Sequence, residues 1–225
     1  EGFLVLNANN SRANRFIVIV ACSLSLIVSI IAFSQNSVPS SQQTTEGMHS
    51  IFSEDDVLGV NLTLGLNYAS YDKTNLLMHL LLPQNEFTDK PIPIIVYVPG
   101  SAWFKQNLGG SIPQVMKFVE QSGYAAAIVG YRPSTVAKSP AQLIDIKSSI
   151  RYLRANANAY NIDPDRVAIW GTSSGGHIAS LVGLTEGIER FETKENGEES
   201  SSVKAVINFF GPTDFLRMDD FPSTI

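Results

Sequence analysis

Cysteine is nearly absent from this chain of 225 residues: Cys22 stands alone, which excludes an intramolecular disulfide. Histidine is almost as scarce, with only His49, His79 and His177, and neither a CxxC nor an HExxH pattern occurs. No dedicated metal site and no cofactor are expected from such a set. A basic excess is missing too: 16 Lys and Arg face 21 Asp and Glu, for a net charge of -5. That balance leaves no electrostatic footprint for a phosphate backbone, so a nucleic-acid partner is set aside. What remains is an ordinary globular composition, 44% hydrophobic with 11 Pro and 16 Gly, long enough for one sizeable domain plus extras.

Charge is also lacking in one long stretch. Residues 16–33 carry none, and no Lys or Arg occurs between Arg15 and Lys73. Arg12 and Arg15 ahead of the apolar run, and Ala32-Phe33-Ser34 at its end, have the form of a signal peptide cut before Gln35. The run is also just long enough to cross a bilayer, so an uncleaved anchor is the other reading. Both export the rest of the chain, and membrane contact is expected through residues 16–33 only. Ile19-Val20-Ala21-Cys22 has the shape of a lipoprotein box but falls too early in the run. Residues 35–54, rich in Ser, Gln and Thr at their start, read as a linker, and the domain is expected over 55–225.

From there the pattern changes to alternating strands and helices. Residues 60–68 and 76–82 suggest an antiparallel strand pair. Residues 93–98, 124–129, 166–170 and 203–209 are short apolar runs, the mark of strands buried on both faces. Between them, residues 113–121, 140–160 and 175–184 have helical periodicity, with Gly123 placed as a C-cap. The acidic, serine-rich segment 186–202 reads as a solvated loop. Such alternation predicts an α/β fold with a mostly parallel sheet and helices on both faces.

Gly171-Thr172-Ser173-Ser174-Gly175 is a G-x-S-x-G pentapeptide. The pattern arises by chance in roughly one chain in ten of this length, so context decides its meaning. Here it lies between a buried strand and a helix rich in small residues, as a nucleophile elbow requires. A sharp strand-to-helix turn strains the serine backbone and lifts the hydroxyl, while the flanking glycines remove side chains that would collide. The helix N-terminus then offers amides to a developing oxyanion. Pro99-Gly100-Ser101-Ala102-Trp103, after the first buried strand, is placed to supply further amides, and Trp103 and Phe104 are candidate pocket walls.

The residues from Ile162-Asp163-Pro164-Asp165-Arg166 through Trp170 to His177, with Phe210-Gly211-Pro212-Thr213-Asp214 beyond, resemble bacterial α/β-hydrolases. The nearest branch is that of acetylxylan/feruloyl-esterase-like carboxylesterases, related to the hormone-sensitive-lipase type, and the likeness covers residues 60–220. It implies Ser173 as nucleophile and oxyanion-hole amides from Ser101, Ala102 and Ser174. The family loop usually reads His-Gly-Gly-Gly-Trp; Pro99 replaces the leading His, which leaves Ser101 and Gly100 both open as donors.

A serine needs a base, and in this fold the order is Ser, then Asp or Glu, then His. No histidine follows His177, which is expected to pack structurally one turn after Ser173. Asp214 is read as a loop-capping residue first and a triad acid second. The acid and base, with the final strands, are therefore expected beyond Ile225, leaving these residues alone catalytically crippled. Three functions stay open: an exported serine esterase acting on a small-molecule or carbohydrate-linked ester, a peptidase or other acyl hydrolase, and a non-catalytic binding module.

Overall fold

The computed structural model describes residues 3–6 and 16–20 as backbone, and residues 59–71, 74–84, 90–193 and 195–220. Among the described residues eight strands form one sheet: β1 (Phe3–Leu6), β2 (Phe16–Val20), β3 (Val60–Tyr71), β4 (Thr74–Pro83), β5 (Ile92–Val98), β6 (Ala125–Val129), β7 (Ile162–Thr172) and β8 (Ala205–Phe209). Their spatial order is β1-β2-β8-β7-β5-β6-β4-β3. β5, β6, β7 and β8 run parallel, whereas β3 and β4 form the antiparallel pair that the sequence suggests. The helices are α1 (Ile112–Ser122), α2 (Ala141–Ala155), α3 (Ala157–Tyr160) and α4 (Ser174–Leu184).

Alternation along the central strands divides the core into two layers. Ile94, Val96 and Val98 of β5 face the cluster that includes Leu143, Ile146 and Ile150 of α2 and Ile178 and Val182 of α4. Ile95 and Tyr97 face the opposite cluster with Val115, Met116 and Val119 of α1. Because both faces are covered, the central strands are apolar throughout, as their sequence runs indicate.

Some boundaries differ from the sequence reading. The helix expected over 140–160 is two, interrupted at Asn156, whose backbone leaves helical geometry. The segment 186–202 is no freely solvated loop. It contains a short turn of 3₁₀ helix, Glu189–Phe191, and is held to α2 through Glu192.

β2, formed by the front of the apolar run 16–33, lies parallel to β8 with Phe16 opposite Ala205. The rest of that run, the linker at 35–54 and the domain start near 55 fall outside the described residues.

The chain leaves β5 through α1 to β6 on one side, then returns through α2 and α3 to β7 on the other. Where neighbouring strands connect in opposite directions, a crevice opens outside their carboxyl ends. Here that crevice lies beyond Val98 and Thr172, between the 99–103 loop and Ser173.

Candidate active site

Ser173 occupies the corner between β7 and α4 with φ 52° and ψ -125°. A residue with a Cβ pays for that conformation, so the surroundings must enforce it. They do so by close approach: a Cβ on Gly171 would lie 2.1 Å from the Gly175 carbonyl oxygen, and one on Gly175 would lie 2.0 Å from that of Val98. Only at those separations can the turn close against the end of β5. The Ser173 amide donates to the Phe209 carbonyl at 2.9 Å, tying the corner to β8, and its own carbonyl accepts from the His177 amide at 3.1 Å.

The two residues flanking Ser173 grip the neighbouring loop. Thr172 Oγ1 accepts from the Gly100 amide at 3.2 Å, and Ser174 Oγ accepts from the Ser101 amide at 2.9 Å. The Phe104 amide turns back to the Ser101 carbonyl at 2.9 Å. Among the described residues the loop amides of Ala102 and Trp103 have no partner, nor has that of Ser174 at the first position of α4. Ala102 and Trp103 take successive left-handed conformations, φ 48° and 61°, which is a second strained segment beside the first. The loop passes close to the corner, for a Cβ on Gly100 would lie 2.8 Å from that of Ser173. The Ser101 amide, nominated from sequence as a donor, reaches an oxyanion only by sharing its proton with Ser174 Oγ or leaving it.

The histidines are engaged elsewhere. His177 Nδ1 accepts from Trp103 Nε1 at 3.3 Å, so the ring is neutral with its proton on Nε2, and burial pushes its pKa below the ordinary value. Its ring meets that of Phe215 edge-on, with centroids 4.7 Å apart. His79 Nδ1 accepts from the Gly65 amide at 3.1 Å, where a bulge in β3 withdraws that amide from the ladder; burial lowers this pKa as well. Asp214 is exposed and its carboxylate accepts from the Leu216 amide at 3.2 Å, a local turn cap. Among the described residues no side chain hydrogen-bonds the Ser173 hydroxyl.

Trp103, Gln142, Leu143, His177, Leu181 and Phe215 line a cavity of about 330 Å³ beside the loop. Trp103 is therefore a wall, while Phe104 is exposed. Sequence reasoning missed Asn208. Its Oδ1 accepts from the Gly211 amide and its Nδ2 donates to Ser180 Oγ, both at 2.8 Å, fixing the turn after β8 to α4. A single polar residue in an apolar strand is the signal that marks it.

Against known proteins, residues 78–224 match the BD-FAE family model. The chain belongs to the BD-FAE family. Among curated relatives of this family member, the probable carboxylic ester hydrolase LipM of Mycobacterium tuberculosis is 32% identical over 69% of the chain and 36% of LipM. Two solved structures are similar. One is a bifunctional GH43-CE protein of Bacteroides eggerthii, 34% identical with TM-score 0.65, over 73% of this chain and 24% of that one. The other is a truncated carbohydrate esterase from gut microbiota, 31% identical with TM-score 0.64, over 75% and 62%. The chain thus spans about a third of the length of its curated relatives. The α/β-hydrolase fold that the resemblance implies is the fold of this BD-FAE chain.

Proposed function

We propose that this BD-FAE chain carries the nucleophile and oxyanion half of a serine carboxylic-ester hydrolase that works through an acyl-enzyme on Ser173. The observation that carries the reading is the enforced corner at Ser173, φ 52° and ψ -125°, beside unpaired amides of Ala102 and Ser174. Attack of Ser173 Oγ on an ester carbonyl carbon forms a C–O bond and places negative charge on the carbonyl oxygen. The amides of Ala102 and Ser174 donate to that oxygen, joined by Ser101 when Ser174 Oγ shares its proton, and the N-terminus of α4 adds its positive dipole end. Collapse expels the alcohol, and water then cleaves the acyl-serine. Among the described residues no histidine serves as the base that takes the serine proton, since His79 and His177 already accept backbone and indole protons through Nδ1.

The substrate is a small-molecule or carbohydrate-linked ester, a reading supported by the ester hydrolase and carbohydrate esterases it is similar to. Export through residues 1–34 belongs to the same proposal. A cut before Gln35 would remove β1 and β2, so N-terminal sequencing of protein recovered outside the cytosol separates a cleaved leader from a retained anchor.

Turnover of p-nitrophenyl acetate by the full-length gene product tests the activity. Ser173→Ala is expected to lower kcat by about 10⁴-fold or more. Turnover unchanged in that variant, or a preference for aminoacyl-anilides, would overturn the esterase reading.

A further inference from the structure

One buried hydroxyl touches both segments that offer amides to the site. Tyr131 lies just after β6, 3% exposed, and its OH is 3.0 Å from Ser101 Oγ and 3.3 Å from Ser174 Oγ. Ser101 Oγ in turn donates to the Phe104 carbonyl at 2.7 Å. That carbonyl can only accept, and this settles every proton in the chain of bonds. Ser101 Oγ has spent its proton on Phe104, so it accepts from Tyr131 OH. Tyr131 has then spent its own, so it accepts from Ser174 Oγ. Ser174 Oγ receives the Ser101 amide. The result is one directed relay, from Ser101 N–H through Ser174, Tyr131 and Ser101 Oγ to the Phe104 carbonyl, in which each hydroxyl donates once and accepts once. Bonds that run in one direction polarise one another.

The tyrosine itself is held firmly. Its amide donates to Gln106 Oε1 at 2.9 Å, and the preceding Gly130 carbonyl accepts from Tyr68 OH at 2.6 Å. The following residue, Arg132, donates from its backbone to buried Asp145 at 2.8 Å and pairs with it through its guanidinium. The relay therefore connects a rigid strand end to a loop whose Ala102 and Trp103 sit in strained conformations.

We infer that Tyr131 is a positioning residue for the oxyanion hole, its hydroxyl holding the Ser101–Trp103 loop at a fixed separation from the start of α4. The inference rests on the esterase reading above. A donor displaced by about 1 Å loses on the order of a hundredfold in rate, so loss of the relay falls on the transition state more than on substrate binding.

The test uses the full-length protein with three variants, Tyr131→Phe, Ser101→Ala and the double variant. It measures kcat and KM for p-nitrophenyl acetate and the affinity for a trifluoromethyl ketone, whose tetrahedral adduct places an oxyanion in the hole. Each single variant is expected to lower kcat by about tenfold to a hundredfold and ketone affinity in proportion, with KM within about twofold. The double variant should lose little more than either single, because both cut the same relay. Should Phe at 131 prevent folding, Ser101→Ala alone reads the relay from its other end. Unchanged kcat and ketone affinity, or losses that multiply in the double variant, would overturn the inference. Ser173→Ala, run alongside, tells the two failures apart: if it abolishes turnover while the relay variants do nothing, only the role of Tyr131 falls.

Discussion

Gly175 shows how tightly a single residue controls the site. Its missing side chain is what lets α4 begin against the end of β5, because an added methyl group would meet the Val98 backbone at 2.0 Å, where no flexible atom can yield. Gly175→Ala is therefore expected to destabilise the domain by about 3 kcal/mol or more, read as a lowered urea midpoint or lost soluble yield. A variant as stable as the parent would mean that the elbow is not closed in this way. Titration gives a second prediction at this scale. Burial lowers the pKa of His79 and His177 below 6.5, so below that pH the unfolded chain binds more protons than the folded one. The stability they contribute is whole above pH 6.5 and declines as the pH falls beneath it. Substituting both by Gln, which keeps an acceptor for Gly65 and Trp103, should flatten the fall in urea midpoint between about pH 7 and 5.5; an identical fall would contradict it. The glycines of the pentapeptide announce their purpose in sequence, since their spacing is the motif. The hydroxyls of Thr172 and Ser174 do not, because the motif leaves those positions free and their partners lie more than seventy residues earlier.

At the scale of elements, α2 departs most from its sequence pattern. Its apolar stripe of Leu143, Ile146, Ile150 and Leu153 was legible and faces the sheet. Its polar side was not, for Asp145, Lys147 and Arg151 are all buried as well. Asp145 is paired with Arg132, and for Lys147 and Arg151 the reason is the segment 186–202, whose acidic and serine-rich composition resembles a solvated loop but supplies the counter-charge. Glu192 pairs with Lys147 at 2.6 Å and with Arg151, while Lys147 also donates to the Thr185 carbonyl at 2.7 Å. Glu192→Gln leaves two buried cations without a carboxylate, and a loss of about 3–5 kcal/mol is expected in urea denaturation, together with faster proteolysis within 186–202. A loss below about 1 kcal/mol would place this pair with ordinary surface bridges instead. Periodicity cannot reveal such burial, because it reports which face is apolar and not how many faces are covered.

For the molecule as a whole, the order of segments carried the most information. Short apolar runs separated by helical ones predict a parallel sheet with helices on both faces, and β5 to β8 form it. The strand expected over 166–170, however, begins four residues earlier, at Ile162, and takes in Asp163-Pro164-Asp165 as an irregular stretch where a turn is expected. The reversal of connection beside β5 then places the 99–103 loop and Ser173 at one crevice, so two motifs that are weak alone lie side by side in the fold. What the sequence could not convey is the coupling across that crevice, since hydrogen bonds between β5, β6 and β7 join residues remote in the chain.

The central claim is that Ser173 is the reactive nucleophile, and labelling tests it most directly. The full-length gene product is treated with a fluorophosphonate, digested, and its peptides mapped by mass spectrometry. A single adduct on Ser173, absent after Ser173→Ala, is the predicted result. An adduct on a different serine, or undiminished labelling of the Ser173→Ala protein, would contradict it.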